Sequence, residues 1–252
     1  MKYNACVYHY LGEKQIRIYD KFINNSVDID NDIKDIYKKD NKKKENKKED
    51  SDRSLDNSQN RTINKIYEIT RSNKWEYFIT LTFSPDVVNR YDYSSITKLL
   101  HNWIMNIKNN YARELKYIIV PEKHKNGAFH FHGLISDIGN LNLKDSGFKT
   151  KDGDIIYNIE NYKLGFTTCT KVKNNQRVSS YITKYITKDL CVTTKGKKRY
   201  WCSYNLNKPY IEYLQLDSID KQVLIDSLQG QIKYTKGVKC GQTDNNVLYI
   251  EI

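Results

Sequence analysis

The chain has 252 residues, of which 38% are hydrophobic, and its formal net charge is +12 at pH 7. This size and composition suit one compact domain with appendages better than two full domains. The positive charge favours a polyanionic partner such as nucleic acid, although basic charge also keeps ordinary proteins soluble. Its 31 aromatic side chains (21 Tyr, 7 Phe and 3 Trp) could stack on unpaired bases, although an AT-rich genome accounts for some of the tyrosines.

The cysteines, the N-terminus and the loop motifs exclude several classes of protein. Five scattered cysteines form no Cys-x-x-Cys pair, which disfavours a zinc ribbon or a disulfide framework and indicates a reducing cytoplasm. The N-terminus lacks the apolar stretch of a signal peptide, and no apolar run reaches membrane-spanning length. No GxxxxGK[ST] loop occurs, so a fused NTP-driven helicase is excluded. We therefore expect a cytoplasmic protein, located in the host cytoplasm if a phage encodes it.

The N-terminal quarter of the sequence changes character midway. Residues 1–25 predict a β-hairpin extension, because the β-rich runs CVYHYL and KQIRIYDKFI flank Gly12 and Glu13. Within residues 26–64, the run DIYKKDNKKKENKKEDSDRSLDNSQNRT has almost no apolar side chains and cannot bury enough surface to offset its ordering entropy. We expect a charged flexible linker there, with auxiliary DNA binding as the alternative.

Residues 65–210 hold the predicted main domain. Apolar runs predict strands over 75–83 and 116–121. Ser94 or Ser95 is expected to cap a helix between these strands. That helix carries an apolar stripe at helical spacing: Ile96, Leu99, Leu100, Trp103, Ile104 and Ile107.

The second half of the main domain continues with further strands and a helix. Asn126-Gly127 predicts a hairpin turn, followed by the strand AFHFHGLIS. A polar loop, strands near 155–160 and 164–172, and a helix from about 175 to 189 complete the domain. This order predicts an α+β fold, with an antiparallel sheet of about five strands and helices packed on it.

Residues 211–252 are expected to form a C-terminal extension. Its run VLIDSLQGQIKYTKG, at positions 223–237, predicts one more helix.

Two histidines, His130 and His132, alternate along the strand that follows the Asn-Gly turn. Side chains at i and i+2 of a strand project from one face, so the two imidazoles lie side by side. The turn folds Glu122 back beside them as the natural third ligand, with His124 as a weaker substitute. Two imidazoles and a carboxylate suit a divalent metal that engages phosphate oxygens. The alternative is that two half-exposed histidines bind nothing in particular.

The segment from Tyr181 to Lys188 repeats the sequence YITK end to end. On one continuous helix, at about 100° per residue, both tyrosines and both lysines share an arc of roughly 100°. A tyrosine must lose its proton to act as a nucleophile, and neighbouring ammonium groups favour the phenolate. The alternative is an ordinary surface helix with solvated lysines and boundary tyrosines.

Four segments occur in a suggestive order: FITLTF (78–83), HFHGL (130–134), VSSYITKYITK (178–188) and RYWCSYNLNKP (199–209). Together they resemble the HUH endonucleases, the rolling-circle replication initiators of small DNA phages, viruses and plasmids. The pattern is most similar to the initiators of microviruses and filamentous phages. The match covers about residues 78–210, and the N-terminal hairpin, the linker and the last forty residues lie outside it.

The resemblance implies a ferredoxin-like or RRM-like core whose central strand carries both histidines, facing the tyrosine helix. It implies an Mg²⁺ or Mn²⁺ ion with three ligands: His130, His132 and Glu122. It implies four catalytic side chains: Tyr181, Tyr185, Lys184 and Lys188. The implied reaction nicks and rejoins single-stranded DNA through a 5′-phosphotyrosine and a free 3′-hydroxyl. The doubled lysine leaves open which Tyr-Lys pair makes the first cut.

The implied partners are single-stranded DNA or an origin hairpin, together with a host helicase and polymerase. Three alternatives stay open. A relaxase or transposase would use the same chemistry on other DNA. A non-catalytic RRM-like binder would stack bases on sheet aromatics, without metal dependence. A metal-dependent phosphodiesterase would release free DNA ends.

Overall fold

The computed structural model describes residues 1–24, 47–240 and 245–252. Its strands, in chain order, are β1 (Lys2–His9), β2 (Lys14–Asn24), β3 (Tyr77–Phe83), β4 (Lys116–Lys123), β5 (Phe129–Ser136), β6 (Leu143–Lys149), β7 (Ile155–Ile159), β8 (Gly165–Lys171), β9 (Trp201–Cys202), β10 (Tyr210–Leu214), β11 (Tyr234–Cys240) and β12 (Asn245–Glu251). Its helices are α1 (Lys47–Arg71), α2 (Tyr93–Asn110), α3 (Asn175–Thr183), α4 (Lys188–Thr193) and α5 (Ser218–Ser227). The predicted α+β class is confirmed, with two antiparallel sheets.

The chain divides into two compact units, and the first joins the two ends of the sequence. It comprises Met1–Lys47 and Lys208–Ile252, with strand order β10-β1-β2-β12-β11. The predicted hairpin of β1 and β2 is confirmed. Because an isolated two-stranded hairpin is marginal in water, β10 and β12 add to its two edges and α5 covers its apolar face.

The helix expected in the C-terminal extension is shorter than predicted. It ends at Ser227, and β11 begins at Tyr234, inside the run that was expected to be helical. Asp217 starts the helix with a capping box, and Gly230 follows its end at φ +86°. A glycine adopts this left-handed conformation without a steric penalty, so the helix stops there.

The second unit, Lys48–Asn207, contains a seven-stranded sheet in the order β6-β7-β8-β3-β5-β4-β9. The predicted number of about five strands was wrong. The polar loop expected after β5 contains β6, an edge strand whose backbone pairs with β7 although its side chains are mostly exposed. Such a strand carries little apolar periodicity, which is the usual sequence signal for a strand.

One face of this sheet packs on α2. Alternate residues of β3 (Ile79, Leu81 and Phe83) are buried in the same core cluster as the predicted apolar stripe of α2. The predicted cap was wrong by two or three positions. Asp92 is the N-cap and accepts hydrogen bonds from the backbone N–H groups of Ser94 and Ser95.

Helix α1 replaces much of the predicted linker. Residues 26–46 of that linker lie outside the described residues, but Lys47–Arg71 is helical instead of flexible. Its sparse apolar residues recur at helical spacing and contact the core: Leu55, Ile63, Ile66 and Ile69. Four such contacts are easily missed in a charged run, because the stability of this helix comes from tertiary contacts more than from its composition. Among the helices with described positions, none is both long and apolar enough to cross a membrane.

Replacing Ile66 tests whether α1 is part of the folded domain. Ile66 is fully buried, so Ile66→Ala should lower the free energy of unfolding by about 2–5 kcal/mol, measured by chemical denaturation. The control is Asn64→Ala, at an exposed position of the same helix, which should change it by less than about 0.5 kcal/mol. Equally small effects for both variants would contradict a docked helix.

Candidate active site

The histidine strand β5 lies between β3 and β4, and the register fixes which side chains share its exposed face. His130 lies opposite Glu122 on β4 and Thr82 on β3. His132 lies opposite Thr80 on β3. Because directly paired residues project from the same face of a sheet, the two imidazoles, the carboxylate and the two hydroxyls come together there.

Hydrogen bonds orient both imidazoles. The hydroxyl of Thr80 lies 3.1 Å from His132 Nδ1, and that of Thr82 lies 3.0 Å from His130 Nδ1. The other ring nitrogen of His132, Nε2, lies 2.7 Å from Glu122 Oε2. When one imidazole nitrogen is held in this way, the ring orientation and the role of the other nitrogen are fixed. The structure therefore brings together the three predicted metal ligands.

His124 belongs to the same cluster. Its Nε2 lies 3.2 Å from Glu122 Oε2, so the carboxylate contacts both His124 and His132. The ring of His124 also stacks on that of His130, with centroids 3.9 Å apart. Alternation along β4 signals this in the sequence, because residues 122 and 124 are two apart and so share a face.

Burial keeps the two strand histidines neutral. It lowers the pKa of His130 from 6.5 to about 4, and the nearby imidazoles of His124 and His132 lower it further. Burial also lowers the pKa of His132, although its hydrogen bond with Glu122 opposes that shift. Both imidazoles are uncharged at neutral pH, the state that can donate a lone pair to a metal.

The donor set fits a divalent cation in its chemistry. Neutral imidazoles and a carboxylate are ligands for Mn²⁺ and similar ions, and the carboxylate suits Mg²⁺. Their present spacing is not that of a formed metal cage: in the described parts of the chain, no group of three or more His, Cys, Asp or Glu side chains is placed to hold an ion. Coordination would have to replace the hydrogen bond between Glu122 and His132.

The tyrosine segment does not form the predicted continuous helix over 175–189. Helix α3 ends at Thr183, and α4 begins at Lys188. Two contacts explain the break. The hydroxyl of Thr187 accepts from the backbone N–H of Leu190 and so caps a new helix. The Gln59 side chain of α1 donates to the carbonyl of Ile186 at 2.7 Å, which satisfies an acceptor outside both helices.

This broken segment lies against the histidine strand. The ring of Tyr185 stacks on His132, with centroids 3.7 Å apart and planes inclined by 8°. Tyr185 is 6% exposed. Tyr181 is 46% exposed and meets Tyr185 edge-on at a centroid distance of 5.7 Å. Phe78 of β3 contacts both Tyr181 and His132, which joins the two halves of the site.

Lys184 distinguishes the two phenols. Its Nζ lies 3.4 Å from the ring centroid of Tyr181 and 5.0 Å from that of Tyr185. A hydrogen bond with Lys184, and next one with Tyr185, lowers the pKa of Tyr181. Burial, and next the hydrogen bond with Tyr181, raises the pKa of Tyr185. Tyr181 is thus the more readily ionised phenol of the pair.

Lys188 is placed differently from the arc predicted for a continuous helix. It begins α4, and its Nζ forms an ion pair with Asp56 of α1 at 2.9 Å. Of the four predicted catalytic side chains, the structure brings Tyr181, Tyr185 and Lys184 into contact. Sequence reasoning missed three further side chains of the site, although alternation along FITLTF places them on one face: Phe78, Thr80 and Thr82.

Comparison with known proteins identifies one family. Residues 76–190 match the model of a family described as replication-associated protein ORF2. The matched range contains the histidine cluster and both tyrosines. No curated protein and no solved structure matches the chain.

The pKa of His130 predicts an acid-sensitive fold. Below pH 6.5 the unfolded chain binds a proton that the folded chain does not bind until about pH 4, so the free energy of unfolding should fall across that interval. Urea denaturation of the metal-free protein at stepped pH measures this. In His130→Asn the curve should be flatter, and an unchanged slope would contradict the burial of a neutral imidazole.

Lys184 is predicted to control the ionisation of Tyr181. Lys184→Met should raise the pKa of Tyr181, because the largest contribution to its lowering is removed. NMR titration of ¹³C-labelled tyrosine measures this, with Tyr181→Phe assigning the resonance. The control is Lys188→Met, whose partner is Asp56. Equal shifts in both variants would favour a continuous helix with both lysines beside the tyrosines.

Proposed function

Over residues 76–190 this chain is a Rep-type replication initiator domain, as its motifs predicted, and we propose that this domain nicks and rejoins single-stranded DNA by tyrosine transesterification. Cleavage leaves a 5′-phosphotyrosine and a free 3′-hydroxyl. A host polymerase extends that hydroxyl behind a helicase, in rolling-circle replication. The positive net charge of the chain suits the phosphate backbone of this substrate.

The stack between Tyr185 and His132 is the observation that carries this proposal. With ring centroids 3.7 Å apart, the tyrosine segment directly overlies the histidine strand. A histidine pair alone is an ambiguous metal site, and a tyrosine helix alone can be structural. Their contact supports a single site that combines a nucleophile with groups able to hold an electrophilic metal.

Mg²⁺ or Mn²⁺ is the proposed cofactor, and the chain offers four side chains to hold it: His130, His132, Glu122 and His124. A divalent ion supplies Lewis acidity, polarising a non-bridging oxygen of the scissile phosphate and offsetting charge in the transition state. Thr80 and Thr82 support the imidazoles through the hydrogen bonds to their Nδ1 atoms.

Tyr181 is the first nucleophile in this scheme. It is the exposed phenol with the lowered pKa, so it is both accessible and easier to ionise. In-line attack forms a bond between Tyr181 Oη and phosphorus and breaks the bond from phosphorus to the 3′-oxygen. The departing oxygen takes up a proton and becomes the free 3′-hydroxyl. Lys184, whose ammonium contacts the Tyr181 ring, is the proposed donor of that proton.

Tyr185 is the proposed second nucleophile. Its phenol is buried against His132, so it can attack only after the ring leaves this stack. It would cut the junction regenerated after one round of synthesis, and the first 3′-hydroxyl would then release the strand linked to Tyr181. Each phosphodiester broken is replaced by another, so no net hydrolysis occurs and no NTP is consumed.

Covalent-adduct formation tests the proposal. The protein is incubated with Mn²⁺ and single-stranded DNA from its own replicon, and a denaturing gel reveals any protein-linked strand. Tyr181→Phe should abolish the first adduct, whereas Tyr185→Phe should retain it in a single turnover. An adduct that survives the Tyr181→Phe/Tyr185→Phe double variant, or that fails to form on every origin fragment, would sink the assignment.

Two controls separate the alternatives. His130→Ala should abolish cleavage while leaving salt-sensitive DNA binding largely intact, because the metal acts on the chemistry and the basic surface on binding. Binding without any adduct would indicate a non-catalytic binder, and free DNA ends would indicate a phosphodiesterase. A relaxase or transposase would form the same adduct on DNA of another origin.

A further inference from the structure

Phe166 is a large apolar side chain that the fold leaves 78% exposed. It lies near the start of β8, where side chains alternate between the two faces of the sheet. Thr167 and Cys169 are buried on the face that also buries Ile79 and Leu81 of β3. Phe166 and Thr168 project from the opposite face, which is the face of the histidine cluster.

The register places Phe166 in one row with the candidate active site. Phe166 pairs with Thr82, Thr82 with His130, and His130 with Glu122. Adjacent strands lie about 4.8 Å apart, so Phe166 is roughly 10 Å from His130 across the same face. It stands on the open side of the cluster, two strands away from the groups proposed to engage the phosphate.

The backbone beneath Phe166 is fixed by a close approach between strands. A Cβ atom added to Gly165 would lie 2.2 Å from the carbonyl oxygen of Thr82 and 2.6 Å from the backbone nitrogen of Ser84. The backbone N–H of Ser84 also donates to the carbonyl of Leu164 at 2.8 Å. Only glycine allows this approach, which ties the start of β8 to β3 and sets where Phe166 emerges.

We propose that Phe166 is a base-stacking residue that holds a nucleobase flanking the scissile phosphate. The proposal rests on the proposed function, because it needs single-stranded DNA at the histidine cluster. Its direct neighbours on this face are hydroxyl side chains, Thr82 on β3 and Thr168 on β8. A single phenyl ring among hydroxyls suits the flat face of one base better than the broad apolar surface of a protein partner.

Stacking would make Phe166 a positioning residue. Aromatic side chains stack on any base, so this contact holds the strand without reading its sequence. A base held about 10 Å from His130 would restrict where the adjoining phosphate can lie, which favours in-line attack. We therefore expect its loss to affect substrate binding more strongly than the chemical step.

The experiment measures DNA binding apart from cleavage. In the Tyr181→Phe protein, fluorescence anisotropy gives the affinity for single-stranded oligonucleotides in which 2-aminopurine replaces each nucleotide in turn. Phe166→Ala should weaken binding by on the order of ten- to a hundredfold. It should also remove the stacking signal of 2-aminopurine at one position. Phe166→Trp should restore both, since a larger ring stacks equally well.

Tyr204→Ala is the matched control. Tyr204 is 84% exposed but follows β9, at the opposite edge of the sheet, and its ring contacts Lys108. Its loss should leave the affinity and the stacking signal unchanged. In the cleavage assay of the protein with Tyr181 intact, Phe166→Ala should raise KM and leave kcat nearly unchanged, which a general loss of structure would not do.

Failure of this inference differs from failure of the proposed function. An adduct that forms equally well with Phe166→Ala, with unchanged affinity and signal, overturns the stacking role and leaves the nuclease assignment standing. Absence of any adduct overturns the assignment, and the role of Phe166 beside a reacting phosphate with it. Equal losses in Phe166→Ala and Tyr204→Ala also overturn the inference, because exposed aromatics would then contribute without regard to position.

Discussion

The pairing of β5 with β3 and β4 is the constraint on which the site depends. In this register His130 faces Glu122 on one side and Thr82 on the other. A shift by one residue would turn the imidazoles into the core and bring Phe131 to the surface, since side chains alternate with a period of two. Phe131 and Leu81 are fully buried, so the core itself opposes that slip. Hydrophobic burial on one face thus sets the geometry of polar groups on the other.

The tyrosine segment gains its asymmetry from its surroundings. Two identical YITK repeats would be nearly equivalent on one straight helix. The structure breaks the helix after the first repeat, and Gln59 of α1 binds a carbonyl in the break. Tyr185 is then buried against His132, and Tyr181 stays exposed beside Lys184. Different environments give the two phenols opposite pKa shifts, which is the physical basis for assigning them different roles.

The fold was predictable wherever apolar periodicity is strong. The strand through residues 78–83, the stripe of α2 and the hairpin around Gly127 were confirmed, because each buries a continuous apolar face or needs a glycine at positive φ. Prediction failed for α1 and β6. The four core contacts of α1 are diluted by charged residues, and β6 is an exposed edge strand held by backbone pairing. Local composition carries little of either signal.

The sequence by itself determined the chemical groups of this protein: an alternating histidine pair, a carboxylate brought back by an Asn-Gly turn, and two tyrosines with a lysine. Strand alternation and turn chemistry are local rules, so they can be read from spacing. Only the tertiary structure decided that His124 joins the cluster, that Lys188 pairs with Asp56, and that one tyrosine is buried while the other is exposed. Those outcomes depend on contacts with α1 and on neighbouring strands, and a pattern within one segment cannot specify its partners.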